Sequence, residues 1–358
     1  MQKVKLGFLG CGFMGQLAHM INYSALDSCE IVAVTDVKQR QSAMVAEAYG
    51  IPKVYAGAGE MLADPAIDAV VAAQPFDNHV NVVRDVLNAG KHILTEKPLC
   101  VYPQNGKALV ECAEKNNKIH MVANHKRSDL AIEYTHKLIQ SWKQSGEMGK
   151  MRYIRITMPP GDWVAGAVGN RKPILSDEPN VEYVHEPIPA GFDPKLSKDY
   201  ISFVNYYIHQ VNMMRFLLGE DYKLTFADKS GVLLVTESFS GVGGIIEMAP
   251  YNTTDSWQES LIVCFEKGYI QVDLPAPLAS QQAGKVTVFT DNGGGGNGGA
   301  GNGSGGIYSS PALPNVSAMR NQAINFIKAI NGEIDPPCPS AEALKDLEFA
   351  VEYIQFNA

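Results

Sequence analysis

Lys97 lies in Thr95-Glu96-Lys97-Pro98, directly after the short apolar run His92-Ile93-Leu94. Partial burial lowers the pKa of a lysine, which can then accept or return a proton near neutral pH. Lys97 is therefore a candidate general acid/base, against the competing reading of a solvated lysine at a strand end. Glu96 beside it either orients the amine or hydrogen-bonds elsewhere. A second constellation lies within residues 199–218, where Asn205, His209 and Asn212 recur at i, i+4 and i+7, one face of a helix. Most other positions there are apolar or aromatic. A helix apolar nearly all round is buried, so its polar stripe is either satisfied internally or lines a cavity. An imidazole in that stripe can carry a proton, and side-chain amides can hydrogen-bond hydroxyl groups.

Proton transfer of this kind accompanies oxidation of an alcohol when something accepts a hydride. Val4-Lys5-Leu6-Gly7-Phe8-Leu9-Gly10-Cys11-Gly12-Phe13-Met14-Gly15 reads as a buried strand, a glycine-patterned turn and the start of a helix. Asp36 closes a second apolar strand about twenty residues on, the context that gives G-x-G-x-x-G its meaning as a dinucleotide fingerprint. Gly10 permits a tight turn, Gly12 lets the backbone approach a pyrophosphate, and Gly15 lets helix and strand pack closely. Phe13 and Met14 complete the turn, and the phosphates would lie at the positive helix N-terminus. A carboxylate at 36 accepts hydrogen bonds from ribose hydroxyls and repels an added phosphate. NAD is thus favoured over NADP, although Lys38 and Arg40 soften that repulsion.

The elements that must position these residues follow from the patterning. Strands at 4–9, 30–35, 69–73, 92–94 and 119–122 alternate with helices at 14–26, 38–49, 79–89 and 104–116. Such alternation predicts an α/β doubly wound parallel sheet with its ligand crevice at the strand C-termini. Beyond residue 124 the pattern changes to a helix at 130–144, strands at 151–158, 222–228, 232–239, 244–248, 260–266, 269–273 and 285–290, and helices at 321–331 and 341–356. This reads as an α+β domain with an open, mostly antiparallel sheet. The expected division is a dinucleotide-binding domain over 1–123 and a substrate-binding and oligomerisation domain over 124–358. The glycine-rich stretch 291–306 reads as a surface loop, with a substrate lid as the alternative.

The 358 residues suffice for two domains with cores, and a hydrophobic share of 46% with a charged share of 19% is ordinary for a globular protein. A net charge of −8 without a basic stripe argues against nucleic-acid binding. No apolar run reaches membrane-spanning length. The first strand follows Met1 at once, leaving no room for a signal peptide. The six cysteines are scattered, which fits reduced thiols in the cytoplasm.

The Glu96-Lys97-Pro98 tripeptide makes the chain recognisable. With Gly10–Gly15, Asp36, Pro75, Asn78-His79 and Ala89-Gly90-Lys91-His92 in the same order, it resembles the Gfo/Idh/MocA family of sugar and cyclitol oxidoreductases. The resemblance covers nearly all of the first 130 residues and continues more loosely beyond. It implies a Rossmann domain, Lys97 as the catalytic lysine, and a cis peptide before Pro98. It also implies Gln74 and Pro75 beside the nicotinamide ribose, Asn78, His79 and Glu96 among the cofactor contacts, and Arg127 near the site. The family carries Asp-x-x-x-His-x-x-Asp on the helix matching 205–212; here Asn205 and Asn212 replace the carboxylates. Without those charges Lys97 and His209 lose their protons more readily.

The resulting expectation is an NAD-dependent dehydrogenase that oxidises a secondary alcohol of a sugar, cyclitol or glycoside, with C3 of a glucoside as one refinement. Lys97 serves as principal acid/base, His209 as second proton-transfer or orienting group, and Asn205 and Asn212 as hydroxyl ligands. Asp162-Trp163 and the segment Glu182-Tyr183-Val184-His185-Glu186 offer an aromatic platform and polar groups for a sugar ring, the alternative being solvated loop residues. Glu182, His185 and Glu186 lack a fourth partner for a metal, so none is expected. Rival readings are a glycoside hydrolase that uses NAD catalytically through transient oxidation, and a non-catalytic NAD-binding sensor. The open sheet suggests a homo-oligomer, dimer or tetramer.

Overall fold

The computed structural model describes residues 3–159, 161, 163–164, 172–248, 257–291 and 305–356. The leading alternation becomes β1 (Val4–Leu9), helical residues Gly15–Met20 continuing as α1 (Ile21–Tyr23), β2 (Cys29–Thr35), α2 (Gln39–Tyr49), β3 (Lys53–Val54) and α3 (Ala58–Ala63). It goes on through β4 (Ala69–Ala72), α4 (His79–Asn88), β5 (His92–Thr95), α5 (Pro103–Asn116) and β6 (His120–Val122). Next come α6 (Leu130–Ser145), β7 (Met151–Thr157), α7 (Pro194–Tyr206), α8 (Ile208–Leu218), β8 (Tyr222–Ala227), β9 (Leu233–Ser238) and β10 (Gly243–Glu247). The chain closes with β11 (Ser260–Phe265), β12 (Gly268–Asp273), β13 (Lys285–Thr290), β14 (Ile307–Ser309), α9 (Ala318–Ile330) and α10 (Ser340–Phe356).

The first six strands form one sheet in the order β3-β2-β1-β4-β5-β6, every neighbouring pair parallel. Leu6, Phe8, Val70, Val71, Ile93 and Leu94 are fully buried, because helices cover both faces and a strand so placed has no polar side. The chain leaves β1 toward β2 and returns on the other side as β4. At that divergence the loops beyond the strand ends splay apart, the place where doubly wound sheets take a ligand. The edge strand β3 was not expected: it is two residues long and both are exposed, so it carries no apolar signal.

Eight strands form the second sheet, in the order β14-β13-β12-β11-β7-β10-β9-β8. All its pairs are antiparallel except β7 with β10, which run parallel. Buried and half-exposed residues alternate strictly along β11, the signature of a sheet covered on one face. The ring of Trp142 on α6 meets Phe265 edge-on at 5.1 Å. Residues 292–304, most of the expected glycine-rich loop, lie outside the described residues. Among the described residues no helix is long and apolar enough to cross a membrane.

The expected single division near residue 123 needs correction. One compact unit comprises Met1–His125, Val168–Ile208 and Met319–Ile354, and the other Lys126–Ala167, His209–Ala318 and Gln355–Ala358. The cause is burial of apolar side chains far apart in sequence. Ala323, Phe326 and Ile327 of α9 join Val4, Leu6, Phe8, Tyr23, Val34 and Met121 in one core cluster. Phe203 of α7 packs on Tyr353 of α10 with ring centres 4.6 Å apart, and the Tyr200 hydroxyl donates to the Val101 carbonyl at 2.7 Å. Phe326 is wholly buried. Phe326→Ala should therefore cost about 3–5 kcal/mol, read in chemical denaturation as an earlier loss of the first unit's structure; a change below about 1 kcal/mol would contradict this packing.

Candidate active site

The glycine turn begins where β1 ends. Gly10 has φ +91°, a conformation that disfavours any side chain, and an added Cβ would lie 2.6 Å from the Ala73 carbonyl oxygen. A Cβ on Gly15 would lie 2.6 Å from the Gly10 carbonyl oxygen. Both glycines are thus demanded by the chain's own packing. A Cβ on Gly12 would meet nothing within 4 Å. Phe13 is exposed and Met14 half-buried beside it.

Asp36 follows β2 and faces the same turn. One carboxylate oxygen accepts the Cys11 N–H at 2.8 Å and the other the Lys38 N–H at 2.9 Å. Burial, with the Asp36 charge adding to it, pushes the Cys11 thiol upward, so this cysteine is a packed neutral group and no nucleophile.

The turns after β4 and β5 complete the constellation. His79 is wholly buried. Its Nδ1 lies 3.1 Å from the Pro98 carbonyl oxygen and 3.2 Å from that of Leu99, and its Nε2 lies 3.3 Å from that of Gln74. Burial lowers its pKa despite these acceptors, which keeps the ring neutral. His79, expected among the cofactor contacts, is buried between the turns that follow β4 and β5. Gln74 and Asn78 are half-buried and Pro75 is exposed.

The Lys97-Pro98 peptide is cis, as the resemblance implied. Lys97 Nζ donates to the Asn205 carbonyl oxygen at 2.5 Å and lies 3.4 Å from Asn205 Oδ1. A carbonyl orients an ammonium without neutralising it. Burial consequently lowers the Lys97 pKa, with the charge of Glu96 pulling partly the other way. Glu96 itself accepts from His19 Nε2 at 2.7 Å and from the Lys97 N–H at 3.3 Å. Burial opposes its charge, but the His19 contact and Lys97 together hold its carboxyl below the usual range.

The remaining candidates separate. The expected continuous helix over 199–218 is interrupted at Tyr207, so α7 carries Asn205 in the first unit while α8 carries His209 and Asn212 in the second. Asn205 is exposed and His209 half-buried. Within the second unit, Arg127 is 4% exposed; its Nε donates to Asn212 Oδ1 at 2.5 Å and its guanidinium lies 4.8 Å over the Phe216 ring. Trp163 is partly exposed, and Asp162 lies outside the described residues. Asp77 takes the Tyr183 hydroxyl at 2.7 Å and pairs with His185 at 2.6 Å. Glu186 accepts the N–H groups of Val101 and Tyr102, each at 2.8 Å. These residues therefore fasten their loop to the first unit. Among the described residues no cluster of three or more His, Cys, Asp or Glu side chains could hold a metal.

Sequence reasoning missed His19 and the role of His79. His19 follows Gly15 by four positions, one helical turn, and that spacing could have marked it as reaching the strand ends.

A family model described as "Oxidoreductase family, NAD-binding Rossmann fold", GFO_IDH_MocA, matches residues 4–124. The myo-inositol 2-dehydrogenase of Thermotoga maritima is 25% identical over 242 residues, covering 68% of this chain and 62% of that protein. The chain thus spans less than two thirds of that relative's length. Among solved structures, apo scyllo-inositol dehydrogenase from Lactobacillus casei aligns with a TM-score of 0.67 at 15% identity, covering 99% of this chain and 96% of that one. An oxidoreductase from Agrobacterium radiobacter in complex with NAD+, L-tartaric acid and magnesium aligns with a TM-score of 0.68 at 15% identity, with the same two coverages. At such identities these two establish likeness of fold. The glycine turn, Asp36 and the Glu96-Lys97-Pro98 turn all fall inside the matched stretch, so residues 4–124 are similar to the NAD-binding Rossmann domain of the GFO_IDH_MocA oxidoreductases.

Proposed function

We propose that this chain oxidises a secondary alcohol of a sugar, cyclitol or glycoside and passes the hydride to NAD, with Lys97 taking the hydroxyl proton. The observation that carries the reading is the half-buried amine of Lys97, oriented by the Asn205 carbonyl and lowered in pKa by its partial removal from water. A lysine that only decorated a strand end would be solvated and protonated. The naming of relatives as inositol dehydrogenases supports a polyhydroxylated ring as substrate.

The residues fit a dinucleotide. Nothing in the chain requires glycine at position 12, whereas a closely approaching pyrophosphate would. Each Asp36 oxygen already accepts one N–H and keeps a further lone pair for a ribose hydroxyl. That carboxylate favours NAD over NADP. Gln74, Pro75 and Asn78 would hold the nicotinamide half. When bound, the nicotinamide ring supplies the hydride acceptor, and the chain supplies position and proton transfer.

In the alcohol-oxidising direction, neutral Lys97 Nζ removes the proton. The ammonium formed is stabilised by the Asn205 carbonyl and the nearby Glu96 charge. His209 serves as a second proton carrier or orienting group, and Asn205, Asn212 and Arg127 contribute hydrogen bonds to hydroxyls or hold their neighbours in place.

Lys97→Ala should lower the rate of NADH formation from an inositol or sugar panel by about 10²–10⁴-fold while leaving NAD affinity nearly intact; wild-type turnover in this variant would exclude the role. The pH profile tests the electrostatics. The base must be neutral, so activity rises with pH through the Lys97 pKa, below the ordinary lysine range. Glu96 raises that pKa, so Glu96→Gln should move the rising limb to lower pH, and a shift upward would refute the assignment. Gly12→Ala should keep the wild-type melting temperature yet weaken NAD binding by about tenfold or more, while Gly10→Ala and Gly15→Ala should lower the melting temperature. Calorimetric titration and thermal melts read the three variants together.

A further inference from the structure

Residues 172–190 form neither helix nor strand, yet their first part is fastened to the first unit by side chains outside the fingerprint. Gln16, 1% exposed, accepts the Ile174 N–H at 2.8 Å and donates to the Ile174 carbonyl at 2.8 Å. Gln41, 3% exposed, accepts the Ser176 N–H at 3.2 Å. Both glutamines also donate to the Cys11 carbonyl, at 2.6 and 3.2 Å, so the segment is keyed to the glycine turn itself. Two acidic residues follow. Asp177 pairs with the Arg40 guanidinium. Glu178 accepts the Arg40 N–H at 3.1 Å, the Gln41 N–H at 3.0 Å and the Ser176 hydroxyl at 2.7 Å.

These contacts fill one particular place. Asp36 ends β2, and α2 begins three residues later with free N–H groups and partial positive charge. A dinucleotide whose ribose hydroxyls bind Asp36 would direct a 2′-phosphate toward that helix start, where a nearby arginine would receive it. Here two of those N–H groups, of Arg40 and Gln41, are taken by Glu178, and the one arginine in the first turn of α2 is paired with Asp177.

Resting on the reading of the glycine turn and Asp36 as an NAD site, we propose that Glu178, supported by Asp177, is a specificity-determining residue that closes the adenosine end of the site to NADP. Its carboxyl is held below the usual range, first by the Ser176 hydroxyl and then by the two N–H groups, so it stays anionic under the conditions in which a phosphate would compete. Discrimination is then shared: Asp36 meets the ribose hydroxyls, and Glu178 guards the position beside them from 138 residues beyond Arg40.

The test is calorimetric titration of the full chain with NAD+ and with NADP+, in wild type, Glu178→Ala and Glu178→Gln, alongside thermal melts. The ratio of the NADP+ to the NAD+ dissociation constant should fall about tenfold or more in Glu178→Ala, and also in Glu178→Gln, which removes the charge but keeps the size. A ratio unmoved in both variants, with NAD+ still bound, overturns this inference and leaves the NAD site standing. Equal weakening of both cofactors with a lowered melting temperature assigns Glu178 to capping α2 and also overturns it. Wild-type protein that binds neither dinucleotide brings down the underlying reading, and this inference with it.

Discussion

One buried imidazole, His79, sits between the two turns that carry the candidate site. His79 faces the carbonyl of Gln74 on one side and those of Pro98 and Leu99 on the other, so the turns that leave β4 and β5 are held at fixed separation. Burial keeps the ring neutral, so one nitrogen donates a hydrogen bond to its turn and the other makes only a packing contact with the second turn. The second link is His19 with Glu96, which joins the helix after the glycine turn to the turn after β5. Lys97 stands in the segment that both links constrain. A general base, the role proposed for Lys97, must be held within hydrogen-bonding reach of its proton, and the contacts of His79 and His19 constrain the segment that carries it.

The second unit handles its buried charges in a comparable way. Glu259 is 2% exposed and accepts from Lys126, from Gln210 at 2.7 Å and from the Trp257 indole at 3.0 Å. Removing a carboxylate from water is costly unless its lone pairs are filled, and here three donors fill them. Arg127 donates to the Asn212 amide oxygen and lies over the Phe216 ring. Asn205 and Asn212 thus do different work in the two units: Asn205 steers an amine through its backbone carbonyl, and Asn212 steers a guanidinium through its side chain.

What was legible in the sequence followed range of interaction. The glycine fingerprint, Asp36 and the order of the central strands rest on residues close in sequence and on apolar runs, and they appear in the structure where the pattern put them. The two-residue β3 carries no pattern, and the parallel pairing of β7 with β10 depends on where a distant strand docks. The interruption at Tyr207 has no glycine or proline to announce it. His79 entered only through the family resemblance; the three carbonyls that surround it come from two turns far apart in sequence, which local spacing does not encode. The contacts of Glu178 join residues more than a hundred positions apart, beyond what local spacing encodes.

The three-part composition of the first unit has a consequence during synthesis. Phe326 and Ile327 close the same core that Val4, Leu6 and Phe8 begin, so a nascent polypeptide holding only the leading 125 residues leaves that seam open to water. It stays open while residues 126–318, including nearly all of the second unit, are translated, until Met319 and its successors leave the ribosome. Over that interval the exposed strip is a sticky, aggregation-prone surface.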